Sequence, residues 1–340
     1  MSKTIGDGSM TGGGKRVLVA GGAGFIGSHL TEALLAEGCE VVVLDNLQTG
    51  SMDNLRTAIG HPRCTFVEAD IVQPLPSSLS AGRFDEIYNL ACAASPPAYQ
   101  ADPEHTMMTS VVGTAHLLRL AARTGARFLL TSTSEIYGDP EVHPQHEDYR
   151  GNVNPIGPRA CYDEGKRAAE TLAFDYDRAG RATVRVARIF NTYGPRLSPD
   201  DGRVVSNFVA QALSGASITV YGDGSQTRSF CYVSDMVTGL LTLMRHDGPQ
   251  PGPINLGNPR ELRILDLVEE IGRIVPSTAP VVGRPLPIDD PRRRRPDIAK
   301  AKQILGWEPR VSLEEGLRQT VAWFSARPAA AAMPRLAVAS

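Results

Sequence analysis

Tyr162 and Lys166 stand four residues apart in Cys161-Tyr162-Asp163-Glu164-Gly165-Lys166. On a helix that spacing puts them on one face. An ammonium beside a phenol favours phenolate, so such a Tyr is expected to work as a base near neutral pH. Taken alone, Tyr-x-x-x-Lys describes ordinary helix surface. Here two further segments precede it: the glycine-rich run Gly21-Gly22-Ala23-Gly24-Phe25-Ile26-Gly27, and Thr131-Ser132-Thr133-Ser134-Glu135 at the end of an apolar stretch. A hydroxyl, a phenol and an ammonium together suit alcohol oxidation. In that chemistry the Thr133 hydroxyl holds the substrate oxygen. Tyr162 takes its proton as hydride leaves for a nicotinamide, and Lys166 bonds the nicotinamide ribose.

The elements around these residues predict how they are held. Residues 15–20 (KRVLVA) read as a strand, residues 28–37 as a helix closed by Gly38, and residues 40–44 (EVVVL) as the next strand. This is a βαβ unit in which glycines let the backbone approach a pyrophosphate at a helix N-terminus. Gly21, Gly24 and Gly27 form a GxxGxxG variant, with Phe25 and Ile26 as further cofactor contacts. Asp45 ends the second strand, followed by Asn46. An acid there accepts from both ribose hydroxyls and repels a 2′-phosphate, which favours NAD over NADP. Strands are also predicted at 64–68, 86–90 and 127–131, with a helix over 106–124. The alternation implies an α/β fold with a Rossmann-type doubly wound parallel sheet. Asp70 and Ile71 follow the third strand and are placed beside the adenine. Leu90 and Ala91 end the fourth, where small residues let a cofactor lie against the backbone.

Bulk properties narrow the classes. A net charge of −2 speaks against a general nucleic-acid or membrane-surface role. No apolar run reaches the length that spans a bilayer, and the N-terminus lacks a signal pattern. Five scattered cysteines fit reduced thiols and no zinc site. Cys161 is read as a buried structural thiol. Residues 1–14 read as a flexible leader and 326–340 as a loose tail. Between them, residues 15–190 are assigned to an NAD-binding domain. Residues 191–325 are assigned mainly to a smaller α/β substrate-binding domain, with part of 233–258 packing back on the first.

The chain resembles the extended short-chain dehydrogenase/reductases and, within them, the UDP-glucuronate decarboxylases (UDP-xylose synthases). The resemblance is carried by GGAGFIGSHL, LDN, ASPPAY, TSTSEIYGDPEVHPQ, GNVNPIGPRACYDEGKR, ARIFNTYGPR, DDGRVVSNF, YGDGSQTRSFCYVSD, NLGNP and RRPDI with LGWEP. These segments run from Lys15 to about Phe324. Relatives that eliminate water carry Asp-Glu after the catalytic Thr, whereas Ser134-Glu135 stands here. A Ser cannot protonate a leaving hydroxyl as an Asp can.

The resemblance implies decarboxylation of UDP-glucuronate to UDP-xylose through a 4-keto sugar, with bound NAD regenerated. It gives Glu135 a role near sugar C5 and makes Arg294, in the run 292–295, the cation for the carboxylate. It implies that Asn191 bonds the diphosphate region, with Ser134, Arg196, Arg203 and Tyr221 as further substrate contacts. Arg228 is expected on the diphosphate, where its fork suits phosphate oxygens. The residues at 202–205 are expected to open a helix whose N-terminus faces phosphate. A soluble cytoplasmic homodimer is implied, with apolar positions in 111–122 and 168–176 as a candidate face that core packing explains equally well. Three departures stand out: Ser110 where relatives have Asn, Arg150 where they have Trp, and Ala93 where they have Pro. Ser110 is expected to shorten a polar relay near Tyr162. A sugar 4-epimerase shares Thr, Tyr, Lys and NAD without needing Glu135 or Arg294, and a dTDP sugar fits the same diphosphate groups. A nucleotide-sensing protein on this fold would usually lack the Tyr–Lys pair.

Overall fold

Strand residues alternate between two apolar layers. In β1 (Arg16–Ala20), Val17 and Val19 join one buried cluster, Leu18 and Ala20 the other. In β2 (Glu40–Asp45), Val41 and Val43 face the first cluster, Val42 and Leu44 the second. A strand covered on both faces must be apolar at nearly every position, as parallel sheets are. Each Val or Leu so buried contributes roughly 1.5–3 kcal/mol. The computed structural model describes residues 14–277, 279–287 and 289–326. Except for Gly14 and Ala326, the expected leader and tail lie outside these residues.

Seven parallel strands form the central sheet. They add β3 (Cys64–Glu68), β4 (Glu86–Asn89), β5 (Arg127–Thr133), β6 (Val184–Ile189) and an edge strand, Pro253–Leu256. The order is edge strand, β6, β5, β4, β1, β2, β3. Chain direction of travel reverses between β1 and β4, so a crevice opens at their carboxyl ends. The helix Val233–Arg245 packs against α1 (Phe25–Ala36). Beyond β6 the chain builds small sheets. One holds Glu261–Arg263, Thr227–Ser229 and Arg293–Arg294; another pairs Ile218–Tyr221 with Val281–Arg284.

Two expected helices differ. α1 begins at Phe25, three residues before the expected start, because Gly24 is extended and serves as its N-cap. Phe25, Ile26 and Gly27 therefore form its first turn rather than the loop. The helix expected over 106–124 begins at Pro103 and widens to a π turn at Thr109–Gly113 before continuing as Thr114–Thr124. Of the apolar positions suggested for a dimer face, Leu117, Leu118, Leu120, Ala121, Ala169, Ala173 and Tyr176 are in the core. Among the described residues no helix is long and apolar enough to cross a membrane.

Candidate active site

A cavity of about 460 Å³ lies along the carboxyl ends of β1, β2, β4 and β5. Its walls hold every residue expected to touch cofactor: Gly21, Gly24, Phe25, Ile26, Gly27, Asp45, Asn46, Asp70, Ile71, Leu90, Ala91, Tyr162 and Lys166.

The glycine turn is shaped by close approach. Gly21 has φ +80°, and a Cβ there would lie 2.7 Å from the Ala91 nitrogen. A Cβ on Gly27 would run into the Gly21 carbonyl oxygen. Gly24 faces the cavity beside the first N–H groups of α1, which have no partners within the helix. Asp45 is buried; Oδ2 accepts from Ala23 N at 2.9 Å and Oδ1 from Leu47 N at 2.8 Å. Burial pushes its pKa up, against those two bonds. Each oxygen keeps a lone pair for a ribose hydroxyl. The cradle, the helix N-terminus and this carboxylate fit NAD. Asp70 is tied to His105 at 2.6 Å, Asn46 at 3.1 Å and Val72 N at 2.9 Å. Burial raises its pKa, but these bonds outweigh it and hold the carboxyl below its ordinary value.

At the end of β5, Thr133 Oγ1 accepts from Glu135 N at 3.2 Å and caps the short turn Ser134–Tyr137. Tyr162 and Lys166 come from the helix Ala160–Arg178. The Thr133 hydroxyl lies near enough to the Tyr162 phenol to lower its pKa. Tyr99 stacks on the Tyr162 ring at 5.2 Å and 5°. Lys166 Nζ donates to Thr131 O at 2.9 Å and lies 5.9 Å from the Tyr162 ring centroid.

Burial works against the expected acidification of this phenol. Burial raises the Tyr162 phenol well above its ordinary value, with Cys92 adding to the rise and Thr133 opposing it. Burial also lowers the Lys166 ammonium. In this arrangement Lys166 is bound to a backbone carbonyl, and desolvation outweighs any acidifying effect on the phenol. Ser110 does not bond Tyr162; its Oγ lies 3.4 Å from Cys92 Sγ. Cys161 is half-buried, with Sγ directed to Tyr99 O at 3.7 Å.

Glu135 stands at the centre of an ion cluster. Arg294 donates Nη1 to Oε1 at 2.6 Å and Nη2 to Oε2 at 2.7 Å, while Arg159 Nη2 reaches Oε2 at 2.8 Å. Arg159 and Arg228 both pair with Asp290, at 3.3 and 2.8 Å. Burial alone would raise the Glu135 carboxyl, but Arg294 and then Arg159 hold it far below the usual range. It is therefore held as an anion between the two guanidinium groups.

Ser134, Asn191, Arg196 and Arg203 line the same cavity, whereas Tyr221, Arg228 and Arg294 are not part of its wall. Arg203 caps Val204–Ser214 and is paired with Asp201. Arg196 has φ 70° and pairs with Glu32 at 2.6 Å. Tyr221 is 43% exposed. Arg228 is buried and turned to Asp290. Arg159, Tyr99 and Asp290 were not singled out from sequence. Arg159 sits three residues before Tyr162, and that proximity was the one available signal.

Residues 17–257 match the NAD dependent epimerase/dehydratase family. UDP-glucuronic acid decarboxylase 6 of Arabidopsis thaliana is 57% identical over 303 residues, covering 89% of this chain and 86% of that protein. UDP-glucuronic acid decarboxylase 1 of Danio rerio is 55% identical over 311 residues, 92% of this chain and 73% of that one. The solved UDP-glucuronic acid 4-epimerase of Bacillus cereus, in complex with UDP-glucuronic acid and NAD, is 28% identical with a TM-score of 0.82, covering 91% and 99% of the two chains. The UDP-glucose 4-epimerase of Thermotoga maritima with UDP-glucose is 31% identical with a TM-score of 0.83, covering 91% and 98%. With the dinucleotide cradle and the Thr–Tyr–Lys group set in one crevice, the chain belongs to the NAD dependent epimerase/dehydratase family, among its UDP-glucuronic acid decarboxylases.

Proposed function

We propose that this protein decarboxylates UDP-glucuronate to UDP-xylose. The observation that carries the reading is the Glu135 anion, two residues after Thr133, clamped by Arg294 and by Arg159, which stands three residues before Tyr162. A simple 4-epimerase does not need such a cluster beside its oxidation centre.

NAD, held by the glycine turn, Asp45 and Lys166, would supply a hydride acceptor for sugar C4 and the hydride for its later reduction. Thr133 holds the C4 hydroxyl oxygen and Tyr162 takes its proton. Lys166 positions the cofactor ribose. The sugar is then a β-keto acid, since the carboxylate sits on C5. Its C–C bond breaks because the electrons pass to the C4 carbonyl as an enolate, and Thr133 and Tyr162 stabilise that oxyanion. C5 takes a proton that comes from solvent, and Tyr162 gives its own back to the C4 oxygen. Arg294 and Arg159 orient the departing carboxylate, with Glu135 fixing both guanidinium planes. Asn191, Arg196 and Arg203, with Ser134, line the space for the nucleotide-linked substrate. Arg228 and Tyr221 support it from behind and from the rim.

We place the protein in the cytoplasm as a homodimer. Half-buried Val111, Val112 and Ala115 leave apolar surface beside the π turn to support a subunit contact. Mass spectrometry after incubation with UDP-glucuronate, then dTDP-glucuronate, tests the reaction and the base. A product lighter by carbon dioxide is expected from the UDP sugar. An isomer of unchanged mass would replace decarboxylation with epimerisation.

A further inference from the structure

Asp163 follows Tyr162 on the helix Ala160–Arg178 and has no part in the chemistry above. It is 6% exposed and does not line the cavity. Among the described residues its Oδ1 has no hydrogen-bonding partner. Arg159, four residues earlier, leaves Nε unpaired among the described residues and gives its terminal nitrogens to Glu135 and Asp290.

The titratable and charged groups that bear on Asp163 come from several elements. They are Tyr99 from the helix Pro96–Ala101, Glu135 from the turn after β5, and Arg294 from Arg293–Arg294. Arg159, Cys161 and Glu164 come from its own helix or the residue before it. The arginines are committed elsewhere: Arg294 and Arg159 to Glu135, Arg159 and Arg228 to Asp290. Three guanidinium groups against two carboxylates leave the cluster one positive charge. An ionised Asp163 would cancel it, and would itself be a buried charge without a partner, an unfavourable state.

We propose that Asp163 is a positioning residue for substrate recognition: as an uncharged acid behind the cluster of Glu135, Arg159, Arg228, Asp290 and Arg294, it leaves that cluster positive for the carboxylate of a nucleotide-linked uronate. It acts through Arg159 and Glu135 without touching the sugar. Its titration agrees in direction. Burial first, and Glu135 second, push the carboxyl up to about 8, against Arg159 and Arg294. Below that pH Asp163 is neutral and the cluster attracts an anion. Above it Asp163 ionises and the attraction fades.

This inference rests on the uronate reading. The test is calorimetric binding of UDP-glucuronate and of UDP-glucose, which lacks the carboxylate, to full-length, NAD-loaded protein from neutral to alkaline pH. A Tyr162→Phe background stops turnover. UDP-glucuronate affinity is expected to fall roughly tenfold through the alkaline range, the size of one screened charge interaction. UDP-glucose affinity should not follow. Adding Asp163→Asn should remove the fall, and Asp163→Glu should restore it. A pH dependence that persists unchanged when Asp163→Asn is added would overturn the inference. If Asp163→Asn does not fold, the ratio of the two affinities in the Tyr162→Phe protein decides, and a ratio flat with pH overturns it. Carbon dioxide release by the wild type is assayed separately. Release with a flat ratio leaves decarboxylation standing and removes the role of Asp163. A pH-dependent ratio without release does the reverse.

Discussion

Arg294 grips Glu135 with both terminal nitrogens, at 2.6 and 2.7 Å, across 159 residues of sequence. The contact depends on a strand pairing: Arg293–Arg294 runs parallel to Thr227–Ser229, with Arg294 opposite Arg228. A planar fork against a carboxylate fixes both orientation and charge.

Glu135→Gln removes the anion that Arg294 and Arg159 share. Carbon dioxide release should drop at least about 100-fold, and stability should fall by roughly 3–5 kcal/mol because two buried cations lose their partner. Its carboxyl lies lower in the folded chain than in the unfolded one. Its stabilisation is therefore fully present above the unfolded value, about 4.3, and lost as pH falls through the folded one. Urea titrations at falling pH should show a shallower acid loss in the variant than in the wild type.

Tyr162→Phe keeps the ring stacked on Tyr99 and deletes the proton carrier. Carbon dioxide release should fall by about 10²–10⁴-fold while UDP-sugar affinity is retained. Release at the wild-type rate in a stopped assay would reject the proton role given to this phenol.

Gly27→Ala places a Cβ against the Gly21 carbonyl oxygen, a backbone atom that cannot swing aside. Loss of copurifying NAD is expected. Gly24→Ala is milder, since its Cβ would lie 3.2 Å from the same oxygen. Cofactor content by absorbance separates the two.

Arg188 ties the Tyr162 helix to β6. It donates to Glu170 at 3.0 and 2.8 Å and to the Tyr137 hydroxyl at 2.9 Å, and Tyr137 in turn bonds Asn255 at 2.8 Å. Arg188→Met leaves Glu170 as a buried unpaired anion. A loss of about 3–5 kcal/mol is expected in chemical denaturation. Unchanged stability would show that Glu170 finds another partner or a proton.

Local pattern carried much of this protein. The glycine run, Asp45 at the end of β2 and the Thr-Ser-Thr-Ser-Glu end of β5 were legible in sequence. So was the Tyr162–Lys166 spacing, because strand period, glycine φ and helix pitch act over a few residues. Tertiary structure decided what those groups face. It turned Lys166 to Thr131 and stacked Tyr99 on Tyr162. It left Tyr221 exposed and outside the cavity wall and drew Arg159, Arg228 and Asp290 into one cluster with Glu135. Those partners arrive from separate strands and loops. Desolvation and charge pairing depend on distances in space, which spacing along the chain does not set.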